Sequence, residues 1–155
     1  MNELKIFVSM ILALVLLASG ISPTTTKSFV ASGPSMAPTI HDGDRIVVDT
    51  SHDLEIERED LILLVVDGKE YVKRVVGLEG DVVEKTTRDS ITIHEERYES
   101  VIWGDVTYPI SLAKDEFFVL GDNLNHSLDS RTFGVITREQ IIGKVISIQS
   151  RNKGN

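Results

Sequence analysis

Three short stretches carry the side chains whose types and spacing suit covalent chemistry. In Val30-Ala-Ser-Gly-Pro-Ser-Met-Ala-Pro-Thr-Ile40, the hydroxyl of Ser35 lies between Gly33-Pro34 and Pro38. These residues bar a helix and hold the segment as a turn. In Tyr71-Val-Lys-Arg-Val-Val-Gly-Leu-Glu-Gly-Asp81, Lys73 lies inside an apolar, β-branched run. The third stretch, Gly121-Asp-Asn-Leu-Asn-His-Ser-Leu-Asp-Ser-Arg-Thr-Phe-Gly134, is dense in polar groups. A turn-held serine with a strand-held lysine suits acyl transfer in which a neutral amine takes the hydroxyl proton. Gly-Pro-Ser alone is common turn composition, and a lone strand lysine usually keeps its amine in water. The three stretches together are what point to a nucleophile and its base.

That chemistry sets conditions on the surroundings. A lysine near its reference pKa of ~10.4 is protonated at neutral pH, and burial lowers that value by up to ~3–5 units. Lys73 therefore has to be desolvated, and Val75 on the same strand face is one source of apolar wall. Neighbours on a strand point to opposite faces, so Lys73 shares a face with Tyr71 and Val75 while Arg74 shares the other with Val72 and Val76. A carboxylate beside the amine would favour its charged form. Asp129 is accordingly expected to have a different partner.

The elements that must position these groups are short and mostly extended. Strands are predicted over Asp44–Asp49, Leu61–Val66, the run from Tyr71 through Val76, Asp81–Lys85, Ile91–His94, Glu116–Leu120 and Lys144–Ile148. Asp67-Gly68 between two of these runs is a hairpin signal. Thr24–Ser28 is polar and reads as a linker. Thr137-Arg-Glu-Gln140 fits a capping box opening a short helix that stops near Gly143. Asp122 and Asn123 are expected to form a turn by satisfying local backbone groups. The fold class is mostly β, with residues 28–155 as one domain and residues 1–27 as an N-terminal anchor and linker.

Composition narrows the function. A chain of 155 residues with a net charge of -8 and a pI near 4.9 offers no clustered basic face for nucleic acid. With no cysteine, disulfides, thiolate metal sites and a cysteine nucleophile are all excluded. His41-Asp-Gly-Asp44 lacks calcium-loop spacing and reads as a turn, so neither a metal nor a cofactor is expected. Ser35 with His126 and Asp129 is a rival triad, ranked below the lysine because nothing in the sequence buries or orients the His126 ring.

Near the N-terminus, Ile6 to Ile21 is an uncharged apolar run bracketed by Lys5 and Lys27. Its roughly 16 residues reach ~24 Å as a helix, slightly short of a ~30 Å hydrocarbon core. A membrane anchor and a cleavable signal peptide both fit this run, with a buried core helix as a lesser third option. As an anchor it would tether Ser35, about a dozen residues further on, close to the lipid surface.

Ser-Met-x-Pro-Thr at Ser35, Lys-Arg-Val-x-Gly-x-x-Gly-Asp from Lys73 and Gly-Asp-Asn-x-x-x-Ser-x-Asp-Ser-Arg-x-x-Gly from Gly121 resemble the signature boxes of type I signal peptidases, in the family's order. Asp42-Gly-Asp-Arg-Ile-Val-Val-Asp49 resembles a fourth box. The resemblance spans roughly residues 30 to 145 and is to the short, Gram-positive-like form. It implies a small antiparallel β catalytic domain with one N-terminal transmembrane helix and a short helix in the C-terminal region. It further implies a single-pass enzyme of the plasma membrane, its catalytic domain on the extracytoplasmic face, that removes signal peptides from secreted preproteins and meets membrane lipid. By the same resemblance Ser35 is the nucleophile and Lys73 the general base. Ser127 orients the lysine, Asp129 and Arg131 form polar support behind the site, and Met36 lines the pocket for a small substrate side chain. Some relatives carry a serine two positions before the nucleophile as a second oxyanion donor; here that position is Gly33, leaving Ser32 or a backbone amide. Two alternatives stand beside this reading: an anchored β domain that binds a partner without catalysis, and a self-cleaving Ser/Lys regulator.

Overall fold

A computed structural model of the chain describes residues 25–100, 104 and 106–151. Eleven strands run in chain order: β1 Thr26–Val30, β2 Arg45–Asp49, β3 Leu61–Val66, β4 Lys69–Gly77, β5 Val82–Thr87, β6 Ser90–Ile93, β7 Glu96–Glu99, β8 Ile110–Ser111, β9 Glu116–Leu120, β10 Ile136–Thr137 and β11 Ile141–Gln149. One α-helical turn, α1 Ser130–Phe133, and two 3-10 turns, Leu124–His126 and Arg138–Gln140, complete the described elements.

The strands form a seven-stranded sheet, β1-β2-β11-β3-β4-β9-β10, and a four-stranded sheet, β7-β6-β5-β8. All pairings are antiparallel. From β1 to β4 the chain reverses sense at each of the intervening pairings, so these two strands run the same way. The β3–β4 hairpin turns at Asp67 and Gly68, with φ of 50° and 73°, the left-handed pair that a two-residue turn of this kind requires. Alternation along β3 feeds two cores. Ile62 and Leu64 pack with Val75, Phe117, Val119 and Ile136, while Leu63 packs with Met36, Ile40, Ile46 and Val48. A third cluster around Val76, Val83, Ile91 and Phe118 joins the smaller sheet to the larger. Tyr108 packs against that cluster.

Two sequence expectations are corrected. Thr26, Lys27 and Ser28 are not linker but the first half of β1, paired with Asp49, Val48 and Val47. Their side chains are exposed, and an edge strand is held by its backbone ladder, so polar composition did not mark it. The capping box at Thr137 exists, with the Thr137 amide donating to Gln140 Oε1 at 2.9 Å. It closes only one 3-10 turn before β11 begins at Ile141. Gly143 lies inside β11, where a Cβ would come 2.1 Å from the Asp49 carbonyl oxygen. Close approach of β2, not the end of a helix, is why a glycine stands there.

The apolar run Ile6–Ile21 and Trp103 lie outside the described residues. Among the described residues no helix is long and apolar enough to cross a membrane.

Candidate active site

The Ser35 turn is fixed from several directions. Gly33, with φ of +87°, donates its amide to Asp42 Oδ1 at 2.8 Å. The Ala37 amide donates to the Pro34 carbonyl and the Ile40 amide to the Met36 carbonyl, at 3.1 and 2.9 Å. From the third stretch, the Asn123 amide donates to the Ser35 carbonyl at 3.0 Å and its side-chain amide to the Pro34 carbonyl at 3.1 Å. Asn123 is thus a long-range tie to the Ser35 turn, and its side chain does not satisfy local backbone groups as expected from the sequence. Behind the turn, Met36 is 4% exposed and part of the core, while also lining the cleft in front of Ser35. The Asp44 carboxylate is buried and accepts from the amides of His41 and Arg151, which makes His41–Asp44 the turn its sequence suggested.

Lys73 comes from the middle of β4, opposite Ile62 of β3. Its Nζ lies 2.8 Å from Ser35 Oγ and donates to the Val72 carbonyl at 2.8 Å. The face sharing expected from strand alternation brings Tyr71 beneath it, with Nζ 5.7 Å from the ring centroid. At 2% exposure Lys73 is among the most buried side chains. That burial lowers its pKa from 10.5 to about 8, against the pull of the Asp129 and Asp122 carboxylates, which favour the charged form. A buried amine close to neutrality, at hydrogen-bonding distance from a hydroxyl, can act as a base toward it.

Asp129 does have another partner. It is fully buried and gripped by Arg131, whose Nε and Nη2 donate to its two oxygens at 2.8 Å each. The Gly121 amide donates to the same carboxylate, and Arg131 Nη2 also donates to the Leu124 carbonyl. Ser130 is structural: its buried hydroxyl accepts from the Val119 amide at 2.9 Å. Ser127 is buried beside Gly121, yet its hydroxyl has no hydrogen-bond partner among the described residues, so the expected bond to Lys73 is not formed. His126 is exposed at the end of a 3-10 turn, and the Asp129 carboxylate is held by Arg131. The Ser35, His126 and Asp129 triad is therefore not assembled.

Sequence reasoning missed Asp122 as a charged partner. Arg74, on the face of β4 opposite Lys73, donates from Nε and Nη2 to both Asp122 oxygens at 2.8 and 2.6 Å, and the Thr39 hydroxyl donates to Asp122 as well. The only sequence signal was strand alternation, which set Arg74 apart from Lys73 without naming its partner.

In front of Ser35 and Lys73 lies a cleft of about 410 Å³, lined on one side by Phe29 to Gly33 and on the other by Glu70 to Lys73. Phe29 and Val30 end β1, and Glu70 to Lys73 belong to β4. β1 ends the large sheet, and β9 pairs with β4 only from Arg74 onward.

The sequence profile of the family described as signal peptidase, peptidase S26, matches residues 4–149 of the chain. The chain belongs to that family. Among curated signal peptidases, signal peptidase I S of Bacillus subtilis strain 168 is 32% identical over 132 residues, covering 74% of this chain and 72% of the relative. Signal peptidase I of Bacillus licheniformis is 31% identical over 161 residues, 92% of this chain and 86% of the relative. Signal peptidase I P of Bacillus subtilis subsp. natto is 34% identical over 150 residues, with 83% and 79% covered. As a member of the signal peptidase family the protein is a serine endopeptidase. Within this signal peptidase the Gly33 amide is already engaged by Asp42, and the exposed Ser32 lines the cleft. The positive φ at Gly33 also strains any side chain placed there, so a serine at that position is disfavoured by the backbone itself.

Proposed function

We propose that the protein is a membrane-tethered signal peptidase working through a Ser35/Lys73 dyad. Neutral Lys73 takes the proton from Ser35 Oγ as the oxygen attacks the scissile carbonyl, giving a tetrahedral oxyanion. The Ser35 amide is one donor to that oxyanion, and Pro34 has none to offer. Protonated Lys73 then returns the proton to the departing amine, leaving an acyl-Ser35 ester. A water molecule, deprotonated by the same amine, releases the signal peptide and frees the serine.

The substrate binds as an added strand between the edges of β1 and β4, using their unpaired backbone groups. Met36 at the cleft floor limits the side chain before the cut to a small one. Asp129 and Arg131 hold the third stretch behind the site. Residues 6–21 form the anchor, which sets the catalytic domain on the extracytoplasmic face of the plasma membrane, within reach of preproteins and lipid.

The observation that carries this reading is the buried Lys73 amine at 2.8 Å from Ser35 Oγ. The test is cleavage of a separate preprotein in detergent by the full chain, compared with Ser35→Ala and Lys73→Ala. Both variants are expected to keep the native circular dichroism spectrum and lose cleavage. A residual rate near that of the unchanged chain in either one rejects the dyad. Wild-type failure in trans with cleavage of its own chain would favour a self-cleaving regulator, and failure of both would favour a non-catalytic binding domain.

A further inference from the structure

Two carboxylates act on the Lys73 amine, Asp129 and Asp122, and each would by itself hold a proton on the base. Each is met by an arginine in the same two-pronged way. Arg131 donates to both oxygens of Asp129, and Arg74 donates to both oxygens of Asp122. The Arg131–Asp129 pair lies almost wholly out of solvent, at 3% and 0% side-chain exposure, whereas Arg74 and Asp122 retain 23% and 14%. Asp122 cannot be moved away, because the next residue, Asn123, ties the third stretch to the Ser35 and Pro34 carbonyls. A carboxylate is thus fixed near the base by the same loop that fixes the nucleophile.

We propose that Arg74 is a positioning residue of the reaction, clamping Asp122 so that much of its pull on the Lys73 proton is offset. The inference rests on the Ser35/Lys73 reading. Strand alternation makes the arrangement possible, since a residue next to Lys73 in β4 must point to the other face, where it reaches Asp122 without touching the amine. Burial by itself would raise the Asp122 carboxyl, but the hydrogen bonds from Arg74 and Thr39 hold it below the ordinary value. Asp122 therefore stays ionised throughout the working range, and only a fixed cation can offset it.

The other ionisable groups in reach are accounted for. Glu59 meets Arg74 from the solvent side at 3.7 Å, Tyr98 is close enough to act weakly on Arg74, Glu96 faces the same pocket and accepts from the Tyr98 hydroxyl at 2.7 Å, the Tyr71 ring lies 5.7 Å from the Lys73 amine, Glu70 is exposed in the substrate cleft, and Asp129 is paired with Arg131. None of these replaces Arg74 at the Asp122 carboxylate.

The test is the pH profile of preprotein cleavage by the full chain in detergent, for Arg74→Gln, Asp122→Asn, the double variant and Lys73→Ala. Arg74→Gln leaves an unbalanced carboxylate, and its midpoint is expected to move up by about one pH unit. Asp122→Asn leaves an unbalanced guanidinium, and its midpoint should move down. The double variant removes a pair of zero net charge, so its midpoint should return close to that of the unchanged chain, whatever its maximal rate. A purely structural clamp gives the opposite pattern, with the double variant at least as displaced as the singles or no midpoint moving at all, and either result overturns the proposal. For a variant that does not turn over, titration of isotope-labelled Lys73 by nuclear magnetic resonance reads the same shift. Full activity in Lys73→Ala would instead sink the dyad, a failure distinct from that of the Arg74 proposal.

Discussion

Lys73 Nζ and Ser35 Oγ, 38 positions apart in sequence, meet at 2.8 Å because a turn pinned by Asn123 and Asp42 is laid against the half of β4 that β9 does not cover. The amine's pKa of about 8 is set first by burial, with Asp129 and Asp122 acting in the other direction. A base works when neutral, and Lys73 is neutral above that value. Cleavage rate is therefore expected to rise with pH through about 8 and level off above it. A profile centred near 6.5 that disappears in His126→Ala would transfer the role to histidine. Removing the amine in Lys73→Ala is expected to lower the rate by ~10²–10⁴-fold.

The same burial has a consequence for stability. An unfolded chain keeps the Lys73 proton up to about 10.5, while the native chain releases it above about 8. Between those values the unfolded state binds more protons, so stability rises with pH across that window, and below it the native state carries a buried charge. The destabilisation at neutral pH is on the order of 3 kcal/mol before Lys73's own hydrogen bonds are counted. Lys73→Met, inactive but of similar length, is expected to melt several degrees higher at pH 7. That advantage should vanish near pH 10. Calorimetry at the two pH values checks it, and a Met variant that melts lower at pH 7 contradicts the account.

Much of this arrangement was legible in the sequence because it is carried by local rules. Asp67-Gly68 could only be a tight turn, the β-branched runs became β2 to β4, and alternation put Tyr71 under Lys73. Other features were illegible because they depend on what the fold brings close. Thr26–Ser28 is polar and pairs through its backbone, which leaves no mark on composition. Gly143 looked like a helix stop but serves the approach of β2. Asp122 and Asn123 looked like turn formers, and only the meeting of the third stretch with the Ser35 turn gives them Arg74 and the Pro34 and Ser35 carbonyls as partners.

Removing Arg131 should affect folding before chemistry. Arg131→Ala would leave the Asp129 carboxylate in a site with no access to water, with only backbone amides for company. Breaking a buried pair in this way costs ~3–5 kcal/mol. Thermal or urea unfolding is expected to show that loss, with the pH midpoint of the surviving folded fraction moved up because the Asp129 carboxylate, which favours the charged Lys73 amine, no longer has its guanidinium partner. Unchanged melting with a collapsed rate would mean that Arg131 touches the substrate.

Ser32 tests the oxyanion site. With the Gly33 amide committed to Asp42, the exposed Ser32 hydroxyl in the cleft is the side-chain donor available beside the Ser35 amide. Ser32→Ala is expected to reduce kcat by ~10²–10³-fold, the usual effect of losing one such donor, with little change in KM or melting temperature. A variant with unchanged kcat would assign the second donor to a backbone amide.

Gly121 packs tightly between Ser127 and the Ser35 turn. A Cβ there would lie 2.2 Å from Ser127 Oγ and 2.6 Å from both Ser127 Cβ and the Ser35 carbonyl oxygen. No rotamer change relieves a clash with backbone, so Gly121→Ala must push the Ser35 turn and the third stretch apart. Because general-base transfer needs the two groups within hydrogen-bonding reach, a shift of that kind should abolish most cleavage even where the protein still folds. The expected result is a loss of at least a hundredfold in kcat together with a lower melting temperature, and reduced labelling of Ser35 by an active-site-directed acylating reagent. Wild-type labelling and turnover in Gly121→Ala would show that the turn has room the geometry does not reveal, and would weaken the case that contact between the two stretches sets the Ser35–Lys73 distance.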